Sequence, residues 1–192
     1  MKYKIGIFGS AQNNDKGVIK KAKELGLELS KYRDKIILIT GATTGLTNDV
    51  AYTASKNGVE IWGFPPTKDM KSLKQLTPEL DFSIYNKLTF IPENFSFTHN
   101  VEVCRKYRNV TSTATCNAGI TISGKWGTMN EFTNLYDMGK VIGVLTGTGG
   151  ISDELNILNK KLRKKSKAVM IFGNNPKKLI AQLIKRLKNH DK

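Results

Sequence analysis

Ala118-Gly119-Ile120-Thr121-Ile122-Ser123-Gly124-Lys125-Trp126-Gly127-Thr128-Met129-Asn130-Glu131 passes from an apolar β-branched segment through a glycine-rich turn into a stretch of helical period. This unit predicts a strand over Ala118–Ile122 and a helix over Thr128–Met138. Working outward, the same alternation recurs. Strands are predicted at Lys4–Phe8, Ile36–Ile39, Val59–Phe64, Leu88–Ile91, Val141–Leu145 and Ala168–Phe172. Helices are predicted near Lys16–Lys31, Leu46–Lys56, Thr98–Thr111, Ser152–Leu162 and Pro176–Leu187. Pro65-Pro66 stops regular structure, and an irregular excursion is expected from there to about Tyr85. The last helix carries Leu179, Ile180, Leu183, Ile184 and Leu187 on one stripe, with Pro176 in its first turn.

Strands alternating with helices give a parallel sheet covered on both faces. The expected fold is therefore α/β: one Rossmann-like domain over residues 1–192, with a mostly parallel sheet of about seven strands and a basic C-terminal helix at about 176–188. Ligands of such sheets bind beyond the carboxyl ends of the strands, where the strand order reverses. The loops there read Gly9-Ser10-Ala11, Gly41-Ala42-Thr43-Thr44-Gly45, Gly124-Lys125-Trp126-Gly127-Thr128 and Thr146-Gly147-Thr148-Gly149-Gly150. Glycine lets backbone N–H groups approach a ligand, and a helix amino end adds partial positive charge. Four such loops point to a phosphorylated small molecule, a nucleotide or sugar phosphate.

Composition narrows the class. With 192 residues, 39% hydrophobic and 24% charged, the chain can bury a core without a metal or disulfide staple. No apolar run reaches the ~18 residues of a membrane span and no leader pattern is visible, so no membrane partner and a cytoplasmic location are expected. Cys104 and Cys116 match no metal or redox spacing. With His99 and His190 the only histidines, neither a Ser-His-Asp triad nor a histidine-rich metal site is expected. No metal and no cofactor are assigned.

The net charge of +15 is uneven: residues 160–192 hold 12 basic residues and one acidic. That segment reads as a solvated terminal helix or as a basic patch for an anionic partner. No aromatic run accompanies the lysines, so nucleic acid is not the expected partner. Two nucleotide motifs fail. Gly6-Ile7-Phe8-Gly9 lacks dinucleotide-fingerprint spacing, and Gly119…Gly124-Lys125-Trp126 puts tryptophan where a P-loop needs Ser or Thr.

The remaining constellation is Arg108-Asn109 followed by Gly124-x-x-Gly127-Thr128-x-x-Glu131. Thr128 and Glu131 have capping-box spacing. Alternatively, Glu131 sits near a bound ribose, to stabilise an oxocarbenium-like centre or to activate water. Arg108 is either a phosphate clamp or Glu131-orienting group, or else a surface arginine of an amphipathic helix. Trp126 is a stacking platform, an interface anchor, or a residue packed on its own loop. Asp153 and Glu154 read as first-turn helix acids.

These residues resemble the LOG (lonely guy) family and its wider LOG-like Rossmann superfamily, once labelled lysine decarboxylases. The family pattern Pro-Gly-Gly-x-Gly-Thr-x-x-Glu appears here as Ser123-Gly124-Lys125-Trp126-Gly127-Thr128-Met129-Asn130-Glu131, with Arg108 at the expected separation. Phe8-Gly9-Ser10 and Gly41 to Leu46 resemble the family's first two loops, and the resemblance extends from Ile5 to about Glu154. It implies a homodimer or higher homo-oligomer that hydrolyses a nucleoside 5′-monophosphate to free base and ribose 5-phosphate. Arg108 and Glu131 would be catalytic. Gly9, Ser10, Gly41, Thr43, Gly45, Asn109, Gly124, Lys125, Gly127 and Thr128 would hold the phosphate or nucleotide. Two departures stand out: Ser123-Gly124-Lys125 replaces Pro-Gly-Gly, and Asn109 replaces the family lysine. Arg108-Asn109 with Thr146–Gly150 looks more like the molybdenum-cofactor carrier branch, which implies the alternative of a non-catalytic carrier or sensor of a phosphorylated ligand.

Overall fold

In the computed structural model, which describes residues 2–12, 15–162 and 165–190, seven strands form one sheet and every pairing is parallel. The strands are β1 (Tyr3–Gly9), β2 (Ile36–Thr40), β3 (Glu60–Gly63), β4 (Lys87–Leu88), β5 (Ala118–Ile122), β6 (Val141–Leu145) and β7 (Val169–Gly173). Helices α1 (Lys16–Ser30), α2 (Leu46–Lys56), α3 (Met70–Leu76), α4 (Val101–Thr115), α5 (Trp126–Asp137), α6 (Ile151–Leu162) and α7 (Pro176–His190) connect them. Arg163, Lys164 and Lys192 of the basic segment lie outside the described residues.

The spatial order is β4-β3-β2-β1-β5-β6-β7. The chain steps outward from β1 on one side, then returns to the other side of β1 to lay down β5. Order therefore reverses between β1 and β5, where Phe8 pairs with Thr121 and Gly9 with Ile122. The crevice expected at such a reversal opens just past these residues. Central strands β2, β5 and β6 are buried along their whole length, as continuous apolar runs between two helical layers must be. One face packs Ile5, Ile7 and Leu38 against α1, α2 and α7; the other packs Phe8, Ile39 and Val144 against Phe132, Leu135 and Leu155.

Several boundaries differ from the sequence reading. The excursion after Pro65-Pro66 contains α3, capped by Asp69, whose carboxylate accepts the Ser72 N–H at 2.7 Å, and anchored by fully buried Leu73. Strand β4 starts one residue before Leu88 and is two residues long; it stops short of Ile91, whose N–H goes to the Thr67 carbonyl rather than to β3. Helix α4 begins at Val101 behind the Asn100 cap and runs to Thr115. Thr111, Thr113 and Thr115 hydrogen-bond back to carbonyls one turn earlier, which keeps a hydroxyl-rich segment helical past the expected end. Helix α5 opens at Trp126, two residues before Thr128. Among the described residues no helix is long and apolar enough to cross a membrane.

Candidate functional site

A cavity of about 520 Å3 opens at the β1/β5 reversal. Its floor is the end of β1 with Gly9 and Ser10, one wall is Gly41, Thr43 and Thr47, and the opposite wall is Lys125, Gly127 and Thr128. Helix α4 closes it with Arg108 and Asn109, and Glu131 of α5 reaches it from below. A second cavity of about 260 Å3 continues it past Arg105 and Arg108 toward Pro66, Thr77 and Glu79.

The β5–α5 turn is built to hold its shape. Ser123 (φ 52°) and Gly124 (φ 94°) both adopt left-handed backbone. At Gly124 a β-carbon would also collide with the Thr128 side chain. The turn is braced from the β6–α6 loop. The Ser123 N–H donates to Thr148 Oγ1 at 2.9 Å, the Thr148 hydroxyl donates to the Leu145 carbonyl at 2.7 Å, and the Ser152 hydroxyl donates to the Ser123 carbonyl at 2.9 Å. Asp153 holds the brace by accepting from the N–H groups of Gly147 (2.6 Å) and Gly149 (2.9 Å). The fourth glycine loop, expected from the sequence to face a ligand, thus supports the turn and does not line the cavity.

Thr128 is the third residue of α5, buried and without capping-box geometry, because Lys125 occupies the N-cap and offers no side-chain bond. Its reading as N-cap is corrected by the earlier helix start. Glu131, only 6% exposed, sits one turn deeper. Burial pushes its carboxyl up to about 7, against the opposing pull of Arg108 and Lys106. A carboxyl so placed exchanges its proton near neutral pH.

Arg108 is not the surface arginine of the blander reading. It is half-buried, and its Nε has no hydrogen-bond partner among the described residues. Burial depresses its pKa, Glu131 and Tyr85 support the charge, and Arg105 opposes it. Among the described residues neither Arg108 nor Glu131 is part of an ion pair within 4 Å; Arg105 pairs instead with Glu102 at 2.9 Å. Arg108 and Glu131 therefore influence each other across the cavity without touching. A desolvated cation lacking a contact partner is costly unless an anion joins it. Asn109, 3% exposed, donates from Nδ2 to Asn130 Oδ1 at 3.0 Å and leaves its own Oδ1 unpartnered.

Of the residues singled out in the sequence, Gly9, Ser10, Gly41, Thr43, Arg108, Asn109, Lys125, Gly127, Thr128 and Glu131 come together on this cavity. Gly45 and Gly124 do not line it. Gly45 (φ 82°) packs under the Ser10 and Ala11 carbonyls, and Gly124 forms the turn. Sequence reading passed over Gln12, Thr47, Glu102, Arg105 and Lys106. A helical signal was present for the last three: positions 102, 105, 106 and 109 share one face of α4. Trp126 is 83% exposed, so it does not pack on its loop. Cys116 is buried and held up to about 12, and so remains an inert thiol. Among the described residues no three His, Cys, Asp or Glu side chains converge as a metal site.

A parallel sheet that reverses at β1, between helices on both faces, with a cavity at the reversal, is a Rossmann-like α/β architecture. The chain belongs to the SLOG cluster4 family, whose model matches residues 2–180. No curated protein matches it in sequence. Among solved structures it is similar to TM1055, at 17% identity and a TM-score of 0.73 over 97% of this chain and 99% of that one. It is also similar to the molybdenum cofactor carrier protein of Chlamydomonas reinhardtii, at 14% identity and 0.69 over 98% and 99%. DNA processing protein A of Helicobacter pylori, described with a single-stranded DNA binding mode, matches at 17% and 0.60 over 97% and 81%. At these identities the likeness is one of fold.

Proposed function

We propose that this protein binds a nucleoside 5′-monophosphate and hydrolyses its N-glycosidic bond, giving free base and ribose 5-phosphate. The observation that carries the reading is Glu131, a buried carboxyl held near pH 7 across the cavity from an unpaired arginine. The phosphate sits on the amino end of α5, taking the N–H groups near Gly127 and Thr128 and the charges of Lys125 and Arg108. Ionised Glu131 then faces the sugar. It offsets positive charge developing at C1′ as the bond to the base breaks, and accepts a proton from the water that adds to C1′. The departing base takes up a proton, so the balance is one water consumed per bond broken.

The test is base release from a panel of nucleoside monophosphates by wild type and Glu131→Gln. Release by wild type that is abolished in the variant supports the reading; binding without turnover rejects the hydrolase. A second reading, a carrier or sensor of a phosphorylated ligand, is favoured by Lys125 on the cavity wall, where the LOG pattern has glycine. The fold likeness to molybdenum cofactor carrier proteins also supports it. Retained binding with no turnover is its expected outcome.

A further inference from the structure

The amino ends of the seven helices are closed in different ways. Side chains of Asp15, Asp69 and Asn100 cap α1, α3 and α4, and the Asn175 side chain accepts the Lys178 N–H of α7 at 3.0 Å. The first N–H groups of α6 go to the Gly124 and Ser123 carbonyls. Neither α2 nor α5 has a side-chain cap, and, unlike α6, whose first N–H groups are met by backbone carbonyls, both open onto the same cavity. At α5 the proposed phosphate supplies what is missing. Among the described residues, the Leu46 N–H at the start of α2 is met by the Ser10 carbonyl at 3.0 Å, and no partner is found for the next two N–H groups.

A second observation at α2 is independent of the helix end. Thr47, one residue further along, is 3% exposed, lines the cavity, and has an Oγ1 with no hydrogen-bond partner among the described residues. Buried hydroxyls without partners are uncommon, and one on a cavity wall calls for a group from the ligand. Thr43, in the loop that leads into α2, lines the same cavity. Arg108 lines the same cavity with its guanidinium beside Gly41, and its Nε has no partner among the described residues. The cavity therefore presents two uncapped helix amino ends together with the Arg108 cation.

We propose that the site holds a nucleotide bearing two phosphoryl groups, one on α5 at Gly127 and Thr128 and the second on α2 at Thr43 and Thr47. This rests on the reading of α5 as a phosphate site and extends it from a monophosphate to a bis-phosphorylated ligand. The second group stands either next to the first, as in a nucleoside diphosphate, or across the ribose, as in a nucleoside 3′,5′-bisphosphate. Arg108 serves both because a guanidinium can face two acceptors with its forked donors.

The experiment is calorimetric titration of the full chain with the best-binding nucleoside monophosphate, its diphosphate and its 3′,5′-bisphosphate. The readout is the ratio of affinities within one protein. A ratio of about tenfold or more for either two-phosphoryl ligand is expected in wild type, falling toward unity in Thr47→Val and retained in Thr47→Ser. Whichever compound shows the gain identifies where the second phosphoryl stands. A ratio near unity in wild type overturns the proposal while leaving the α5 site intact, as does a gain that survives Thr47→Val. Absence of binding by every nucleotide removes the α5 reading and this one together.

Discussion

The guanidinium of Arg108 lies against the α-carbon of Gly41, where a β-carbon would fall on its Nη1. Gly41 is thus the end of β2's turn and also a gap left for a side chain arriving from α4. Its φ is not in the left-handed region, so alanine carries no backbone strain there. Gly41→Ala should push the flexible guanidinium aside and leave the fold nearly intact. The expected result is a melting temperature within a few degrees of wild type, with ligand affinity reduced by about tenfold or more. Thermal melts with and without a bound nucleotide check both halves.

Glu131 gives a pH dependence with a definite sign. Its folded pKa of about 7 lies above the 4.5 of an ordinary glutamate, so folding favours the protonated carboxyl. The favourable contribution is complete below pH 4.5, is lost as pH climbs through about 7, and is flat above that. The loss is of order 3 kcal/mol. Glu131→Gln should remove this slope, so the stability difference between variant and wild type widens from pH 5 to 7 and then levels, measured by denaturant unfolding. Hydrolysis should run the other way, rising through the same region, because the ionised carboxylate faces the sugar. Parallel rather than opposed pH profiles would contradict the assigned role.

How far the site could be read from the sequence depended on the kind of signal. Gly127, Thr128 and Glu131 are visible because strand–turn–helix patterning fixes where a βα turn meets a cavity, whereas Arg108, on α4, is picked out by its separation from Glu131 in the LOG pattern. The loop at Gly147–Gly150 looked equivalent by composition, yet its N–H groups are spent on Asp153 and its carbons pack on Gly124. Glycine content alone does not say whether a loop faces a ligand or another loop. The start of α5 was misplaced because Trp126 and Gly127 are poor helix signals, and no capping side chain marks the true end. Thr47 carried no local sign at all. Its importance comes from an unpartnered hydroxyl, which only the packed structure reveals.

The brace beneath the turn can be loosened without touching the cavity. In Thr148→Val the Ser123 N–H loses its acceptor at 2.9 Å and stays buried, and the Leu145 carbonyl loses its donor at 2.7 Å. An orphaned buried donor costs about 1–3 kcal/mol, which in a chain of this size lowers the melting temperature by several degrees. Because Ser123 is already in left-handed backbone, the turn should relax and phosphate affinity should fall with stability. Thr148→Ser keeps the hydroxyl and should behave like wild type. A valine variant as stable as wild type would mean that the brace is not structural.

Gly127 separates space kept for a ligand from space kept for the fold. It is exposed, in the first turn of α5, and a β-carbon placed on it meets nothing within 4 Å. By packing alone, alanine should be neutral or stabilising by up to about 1 kcal/mol, since it limits the unfolded chain and favours helix. If phosphate comes to rest on the N–H groups here, the added methyl occupies the approach, and affinity for a nucleoside monophosphate should drop by about tenfold or more. The paired measurement is a melt of the free protein and a titration with nucleotide. A variant at least as stable as wild type but impaired in binding assigns the open face of Gly127 to the ligand. Unchanged affinity would move the phosphate off α5, and Glu131 would then have no sugar to face.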